Sequence, residues 1–167
     1  MRRGPRRTRT SVRPGAGLLS LATVAACQLA SARPPFEPFP EARHADVSLS
    51  RTEATERLAE ALRDDSIPVT RVELRDGYVE TPWFSVETGR PASRPATGDG
   101  VVRVRGWVEP ARVRASELRV ETVFRRVVDP SLPERELERA VRGNHPVAER
   151  IDSVLARLAR RYDGQVR

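Results

Sequence analysis

The chain has 167 residues, one cysteine, 14 prolines and a formal net charge of +7. All 30 of its basic residues are arginine, and six of them precede Cys27 in a stretch without acidic residues. The other 24 arginines nearly balance the 23 acidic residues, so the high isoelectric point belongs to the N-terminus and does not indicate binding to nucleic acid. The length fits one domain, and a single cysteine excludes a disulfide framework or a cysteine-based zinc site within the chain.

The first 26 residues have the pattern of an export signal. An arginine-rich segment covers residues 2–13, and an uncharged apolar run of 12 residues follows from Gly15 to Ala26. Such a run has the length of a signal-peptide hydrophobic region, about 7–15 residues, and is shorter than the ~20 residues that span a bilayer. We therefore predict that residues 1–26 are a signal peptide. The alternative is a buried core helix.

The apolar run ends in Val24-Ala25-Ala26-Cys27, which resembles the lipobox of bacterial lipoproteins. The resemblance implies that a diacylglycerol is attached to Cys27, that a peptidase cuts before it, and that the new amine is acylated. Two or more acyl chains anchor a protein stably, whereas one chain does not. With Gln28 in the next position, the resemblance implies an outer-membrane protein that faces the periplasm. The alternative is a conventional cleavage site beside a small apolar Cys27.

Residues 27–44 are predicted to be a tether. Residues 33–40 hold four prolines in eight positions, a density that prevents a helix and favours an extended chain of about 3.1 Å per residue. The simplest interpretation is a spacer that lifts the domain off the membrane. The alternative is a docking peptide that inserts Phe36 and Phe39 into a groove of a partner.

Residues 45–163 are predicted to form a single α+β domain, with an antiparallel sheet of four to five strands and helices packed on one face. Capping patterns and hydrophobic periodicity give the elements. The first half of the domain is predicted to hold a strand over 45–49, a helix capped by Ser50 and Glu53, and two strands over 67–74 and 78–84. A turn at Asp76-Gly77 joins these two strands, and Pro82 interrupts the second. After an exposed loop over 88–100, we expect two strands around 102–108 and 118–124, a helix from Ser131 to Gly143 and a helix from Pro146 to Arg161.

The two long strands alternate strictly between apolar and charged residues. Val102, Val104 and Val108 face one way, whereas Arg103, Arg105 and Trp107 face the other. The same alternation places Arg119, Glu121 and Arg125 opposite Leu118, Val120 and Phe124. This pattern predicts a sheet with one face covered by helices and one face open to solvent.

The order of strand, capped helix, strand, Asp-Gly turn and Tyr-led strand behind a lipobox is similar to a repeat domain of BamC. BamC is a lipoprotein component of the outer-membrane β-barrel assembly machinery. The resemblance covers roughly residues 45–84, with Leu58 and Leu62 in the helix and Gly77-Tyr78 at the turn. It implies a small α+β domain that takes part in envelope assembly.

The sequence predicts no enzyme, no cofactor and no metal site. Phosphate loops and the common hydrolase and metalloprotease motifs are absent from it. Its two histidines are His44 beside the tether and His145 in a turn before the last helix, which Asn144 is expected to cap. Its clustered acidic residues alternate with arginines on helix surfaces, a pattern typical of solvated ion pairs.

The candidate partner-binding residues are Trp107, Arg103, Arg105 and Arg119 on the predicted solvent face. Exposed tryptophan and arginine are enriched among residues that dominate binding energy. The alternative is that the 88–100 loop covers Trp107 and makes it part of the core. Trp83 and Phe84 are expected to pack under the first helix.

Two functions fit these features. The first is a membrane-anchored envelope lipoprotein that binds another envelope protein as a scaffold or assembly factor. The second is a lipoprotein that binds a small molecule or lipid between the sheet and the C-terminal helix. A cavity of about 300 Å³ or more under that helix would favour the second function.

Overall fold

The computed structural model describes residues 31–166, and the predicted signal peptide and Cys27 lie outside the described residues. Within this range the elements are β1 (Arg43–Val47), α1 (Arg51–Asp64), β2 (Arg71–Glu73), β3 (Tyr78–Glu80), β4 (Phe84–Ser85), β5 (Val101–Arg112), β6 (Ala115–Arg125), α2 (Glu134–Leu137), β7 (Glu138–Ala140) and α3 (Pro146–Arg161).

The strands form one antiparallel sheet in the order β1-β6-β5-β3-β2, with β4 also pairing with β5 and β7 with β6. The predicted class, an antiparallel sheet with helices on one face, is confirmed. The described part has seven strands instead of four or five. The predicted strand over 78–84 divides in two, and part of the predicted helix over 131–143 forms β7. The strand over 78–84 breaks at Pro82 into β3 and β4, since proline has no N–H to donate to the ladder.

Helices α1 and α3 cover the apolar face of the sheet. The predicted capping box at the start of α1 is confirmed: the Glu53 N–H donates to Ser50 Oγ, and the Ser50 N–H donates to Glu53 Oε2. The predicted bounds of α3 are also confirmed. Its apolar stripe is buried with the core-facing strand residues, and its members are Val147, Ile151, Val154, Leu155 and Leu158.

The turn between β2 and β3 requires a glycine. Gly77 has a φ of +65°, and a Cβ at this position would lie 2.3 Å from the Val108 carbonyl oxygen. The same approach lets the Val108 N–H donate to the Gly77 carbonyl at 2.8 Å. The turn predicted from the Asp-Gly pair is confirmed, and the structure shows that it lies against β5.

The predicted helix from Ser131 to Gly143 is wrong. Its helical part is only the four residues of α2, which has Pro133 at its N-cap and no side-chain capping bond. Ser131 instead donates its N–H and hydroxyl to the Asp129 carboxylate. Residues 138–140 extend and pair with β6 as β7. The cap of α3 also differs from expectation, because His145 Nδ1 and not Asn144 accepts the Val147 N–H.

The second face of the sheet is covered, so the prediction that it is open to solvent is wrong. Residues 33–40, which we call the strap, lie along this face, and α2 and β7 flank it. The strap therefore is not a free spacer, and the folded unit begins near Ser31 instead of Ala45. Below, "strap face" means the sheet face of Arg103, Arg105 and Trp107.

Candidate functional site

The strap face is built by the alternation of three neighbouring strands. Residues directly opposite each other in an antiparallel pair lie on the same face. The register pairs Trp107 of β5 with Tyr78 of β3 and with Arg119 of β6. It pairs Arg105 with Glu80 and Glu121 in the same way. The face thus carries an aromatic row beside a row of charged side chains.

Three aromatic rings join the strap to the sheet. The ring centroids of Phe36 and Trp107 are 6.4 Å apart at an interplanar angle of 63°, and those of Tyr78 and Trp107 are 5.5 Å apart at 66°. Both are edge-to-face arrangements, which aromatic quadrupoles favour. Trp107 and Tyr78 are fully buried. The Trp107 Nε1 donor is buried as well and has no hydrogen-bond partner among the described residues.

Guanidinium groups stack on the two phenylalanines of the strap. The Arg135 Cζ lies 4.4 Å from the Phe36 centroid and 3.6 Å from the Phe39 centroid, and the Arg105 Cζ lies 5.2 Å from that of Phe36. A cation over an aromatic face is attracted by the ring quadrupole. Phe36 is therefore held between the Trp107 indole and the Arg135 guanidinium, and Phe39 lies against Arg135.

Polar contacts fix the strap backbone along its length. The Phe39 N–H donates to Glu121 Oε2 at 2.8 Å, and Arg135 Nη2 donates to the Glu37 carbonyl at 2.8 Å. Arg119 Nη2 lies 3.2 Å from Glu37 Oε2. Such a segment has no internal hydrogen bonds, so its N–H and carbonyl groups are available to side chains of the surface on which it lies.

A buried ion cluster lies under the strap. Arg105 donates from Nη2 to Glu138 Oε1 at 2.6 Å and from Nη1 to Glu138 Oε2 at 2.7 Å, a bidentate pair. It also contacts Glu121 and Glu80, each at 3.1 Å. The exposed fraction is 3% for Arg105, 1% for Glu121 and 0% for Glu138. Burial, the largest single effect, lowers the pKa of Arg105, but the hydrogen bonds to Glu138 and the negative charges around it together hold this pKa above its ordinary value.

A second stack lies beside this cluster, on Trp83. The guanidinium carbons of Arg103 and Arg125 lie 4.7 and 4.3 Å from its ring centroid. Glu134 joins the three, since it accepts from Trp83 Nε1 at 3.0 Å and from Arg103 Nη1 at 2.8 Å, and pairs with Arg125. Burial and the neighbouring Arg105 charge lower the pKa of Arg103. The prediction that Trp83 packs under α1 is therefore wrong, whereas Phe84 does belong to the core.

An open pocket of about 340 Å³ extends the strap face beyond the first residues of the strap. Its walls are strongly polar and carry more guanidinium than carboxylate groups. They are formed by Ala32, Arg33, Pro34, Phe36, Arg71, Tyr78, Glu80, Arg103, Arg105 and Glu134. Burial raises the pKa of Tyr78, so its phenol stays protonated at neutral pH. This volume suits a short peptide side chain or a similar polar group.

The four predicted site residues do lie on one face, but their exposure differs from the prediction. Trp107 is covered by Phe36 of the strap and not by the 88–100 loop. Arg105 is buried in the ion cluster, and Arg103 and Arg119 are partly exposed and paired with Glu134 and Glu37. The prediction that Trp107 is an exposed binding residue is therefore wrong while the strap covers it. Truncation of this buried indole would lower the free energy of unfolding. The pattern of the sequence could not show the cover, because it comes from residues about 70 positions earlier.

The remaining candidate groups have structural contacts. His44 Nδ1 lies 3.2 Å from Glu117 Oε1, and His145 caps α3 while its Nε2 lies 3.0 Å from the Asp99 carbonyl. Within residues 31–166, histidine, cysteine and acidic side chains form no cluster that could hold a metal ion. A cavity beside α3, at the sheet edge of Val120 and Thr122, has about 10 Å³. That is room for a water molecule.

The comparisons with known proteins add no relative. No family model, curated protein or solved structure matches this chain. In the described range, no helix combines the length and the apolar character needed to cross a membrane.

Proposed function

We propose that this chain is a lipid-anchored envelope protein whose domain is a non-enzymatic protein-interaction module. The observation that carries the proposal is the strap itself, an extended proline-rich segment that lies on a surface of aromatic and guanidinium groups. Other domains recognise proline-rich peptides with aromatic-lined grooves of this kind, because such peptides are already extended and lose little entropy on binding. The strap face has this chemistry.

The strap face is proposed to recognise an extended segment of a partner protein, and the strap occupies that site in the structure described here. Two features support exchange with a partner. Phe36 and Phe39 are only half-buried, so the strap makes shallower contacts than a core strand. The buried Trp107 Nε1 donor is left without an acceptor by the strap, and a partner carbonyl could supply one at a gain in affinity.

Binding of a free peptide tests this proposal. In the full chain, Phe36→Ala together with Phe39→Ala should loosen the strap and shift tryptophan emission to longer wavelength as Trp107 meets water. A synthetic peptide of residues 31–42 should then bind the variant and reverse the shift. The matched control is the same peptide with both phenylalanines replaced by alanine, which should bind at least about tenfold more weakly, a difference of about 1.4 kcal/mol.

Two results would contradict the proposal. If the double variant no longer unfolds cooperatively, the strap is an obligatory part of the core and not an exchangeable ligand. If the variant stays folded and both peptides bind equally or not at all, the face does not recognise the strap sequence. On the resemblance to BamC, we propose that the partner belongs to an assembly process at the outer membrane. The lipid anchor at Cys27 is tested separately.

A further inference from the structure

The end of the domain at which the strap begins is cationic and has an apolar tip. The Ala32 N–H donates to Asp76 Oδ2 at 2.6 Å, and Arg71 donates to the Ala32 carbonyl, so the chain reaches the domain at the β2–β3 turn. Arg33 pairs with Glu109 of β5. These contacts place the N-terminal side of the described chain beside the β5–β6 hairpin.

The hairpin tip is the two-residue loop Val113-Arg114 between β5 and β6. The exposed fraction of Val113 is 94%, and Arg112 and Arg114 on either side of it are also exposed. Arg114 has a φ of +55°, a left-handed conformation that non-glycine residues adopt at tight turns. An aliphatic side chain so fully exposed between two arginines gives the tip an apolar point with a basic rim.

Two further arginines widen the basic rim. Arg75 lies exposed in the β2–β3 turn, and the exposed Arg51 at the start of α1 passes over Gly77 in that turn. We call Arg51, Arg75, Arg112, Val113 and Arg114 the anchor-end patch. Within the described residues its arginines form no close ion pair, although the Arg114 charge contributes to lowering the pKa of Glu53. The nearby acids have other partners: Glu109 pairs with Arg33, Asp76 accepts from the Ala32 N–H, and Glu53 belongs to the capping box. Cationic charge at this end is thus available to an external anion.

Chain length places this end near a membrane. Cys27 and Ala32 are five residues apart in the sequence, which is at most about 18 Å of extended chain. Val113 is four residues beyond Glu109 on β5, so the tip reaches about 13 Å past the point where Arg33 is held. A lipid-anchored chain with a docked strap therefore keeps the hairpin tip within reach of the headgroups. The opposite end of β5, with the 88–100 loop, lies about 35 Å or more from the tip along the strand.

We propose that the anchor-end patch is a membrane-contact surface that binds anionic lipid headgroups and inserts Val113 at the interface. The inference rests on the proposed lipid anchor at Cys27. Basic residues close to a bilayer attract anionic lipids over about a Debye length, roughly 8 Å at physiological ionic strength. The anchor supplies the proximity, and the patch fixes which end of the domain faces the bilayer. The 88–100 end then points away from the bilayer.

A fluorophore at the hairpin tip tests the inference in the full-length, processed lipoprotein. Cys27 is the only cysteine and its thiol is consumed by lipidation, so Val113→Cys can be labelled alone; Ser93→Cys, in the exposed 88–100 loop, is the matched control position. The protein is reconstituted into phosphatidylcholine vesicles with and without phosphatidylglycerol, each containing a lipid with a nitroxide headgroup. With phosphatidylglycerol, quenching at position 113 should exceed quenching at position 93 by about twofold or more.

Charge-reversal variants distinguish the contribution of the anchor-end patch to membrane contact from that of the lipid anchor. Arg75→Glu with Arg112→Glu should reduce quenching at position 113 to the level at position 93. Arg94→Glu with Arg126→Glu, two exposed arginines at the opposite end of the domain, changes the net charge equally and should leave quenching unaltered.

Equal quenching at both positions would overturn the inference, as would quenching at 113 that survives reversal of Arg75 and Arg112. A signal that is the same in vesicles without phosphatidylglycerol would show that the tip contacts the bilayer without recognising anionic headgroups, and would also overturn it. An unacylated Cys27 by intact mass would overturn both the anchor and this inference. An acylated chain without preferential quenching at 113 would overturn this inference alone.

Discussion

Arg105 holds the centre of the ion cluster beneath the strap. Three carboxylates surround its guanidinium, and two of them belong to residues that are at least 99% buried. The desolvation of a buried ion pair can cancel its Coulomb attraction, so such a cluster adds little net stability over an apolar core of the same shape. Removing Arg105 is different, because it leaves the buried Glu121 and Glu138 with only Arg135 as a cationic partner. The stability of the cluster under the strap therefore depends strongly on the Arg105 side chain.

Arg105→Gln should lower the free energy of unfolding by about 3 kcal/mol, because Glu138 would lose its bidentate partner. Arg135, which is 2.7 Å from Glu121 but 3.4 Å from Glu138, would then be the remaining arginine beside the two buried carboxylates. Urea unfolding of protein that lacks the signal peptide measures the change. The matched control is Arg126→Gln at the end of β6, where the arginine is exposed and its loss should cost no more than about 0.5 kcal/mol. Equal effects of the two substitutions would mean that water solvates the Arg105 cluster.

The positions of the site residues could be predicted from the sequence, but their exposure could not. Period-2 alternation correctly placed Trp107, Arg105 and Arg119 on the face opposite Val104, Val108 and Val120. A charged strand face usually indicates exposure to solvent. Here the charged residues form a buried ion cluster, because Glu138 of β7 pairs with Arg105 and Phe36 of the strap covers the face. Both partners are distant in sequence, and no local pattern marks them as neighbours of Arg105.

Among the elements, those with strong local signals were predicted well. Helix α3 combines a continuous apolar stripe with Pro146 at its start, and α1 has a complete capping box, so each is specified by its own residues. The helix prediction for residues 131–143 was wrong for two reasons. Ser131 and Glu134 have the spacing of a capping box without forming one, and pairing with β6 holds residues 138–140 in an extended conformation. The strap was interpreted as a spacer because proline density reports backbone shape and says nothing of what the side chains contact.

Helix α3 should contribute a large part of the core. Leu155 is fully buried in its apolar stripe, among residues of the sheet and of α1. We expect Leu155→Ala to lower the free energy of unfolding by about 2–5 kcal/mol through lost burial and the cavity left behind. Ser153→Ala, on the exposed side of the same helix, should change it by about 0.5 kcal/mol or less. Thermal and urea unfolding measure both, and coincident transitions for the two variants would place α3 outside the core.

At the scale of the whole molecule, the strap links the two proposed activities. While it is docked, its first contact at Ala32 leaves only four residues between that contact and Cys27. If a partner segment displaced it, the free chain would extend to Ala42, about 47 Å at 3.1 Å per residue. Occupation of the strap face by a partner would then lengthen the tether and lower the effective concentration of the anchor-end patch at the bilayer. The proposed partner binding should in this way weaken the proposed membrane contact.

The lipid anchor on which this coupling depends is itself a prediction from the sequence. In a bacterial host, the mature chain should begin at Cys27, carry a diacylglycerol and fatty acid, and fractionate with membranes, because multiple acyl chains bind a bilayer stably. Cys27→Ser should abolish labelling by an alkyne fatty acid and remove the lipid mass. The control is Cys27→Ser combined with Ser31→Cys, which keeps one thiol but moves it out of the Val-Ala-Ala-Cys motif and should also stay unlabelled. Labelling of that double variant would show that any exposed thiol near the N-terminus is acylated, and a mature chain with an unmodified Cys27 would refute the anchor.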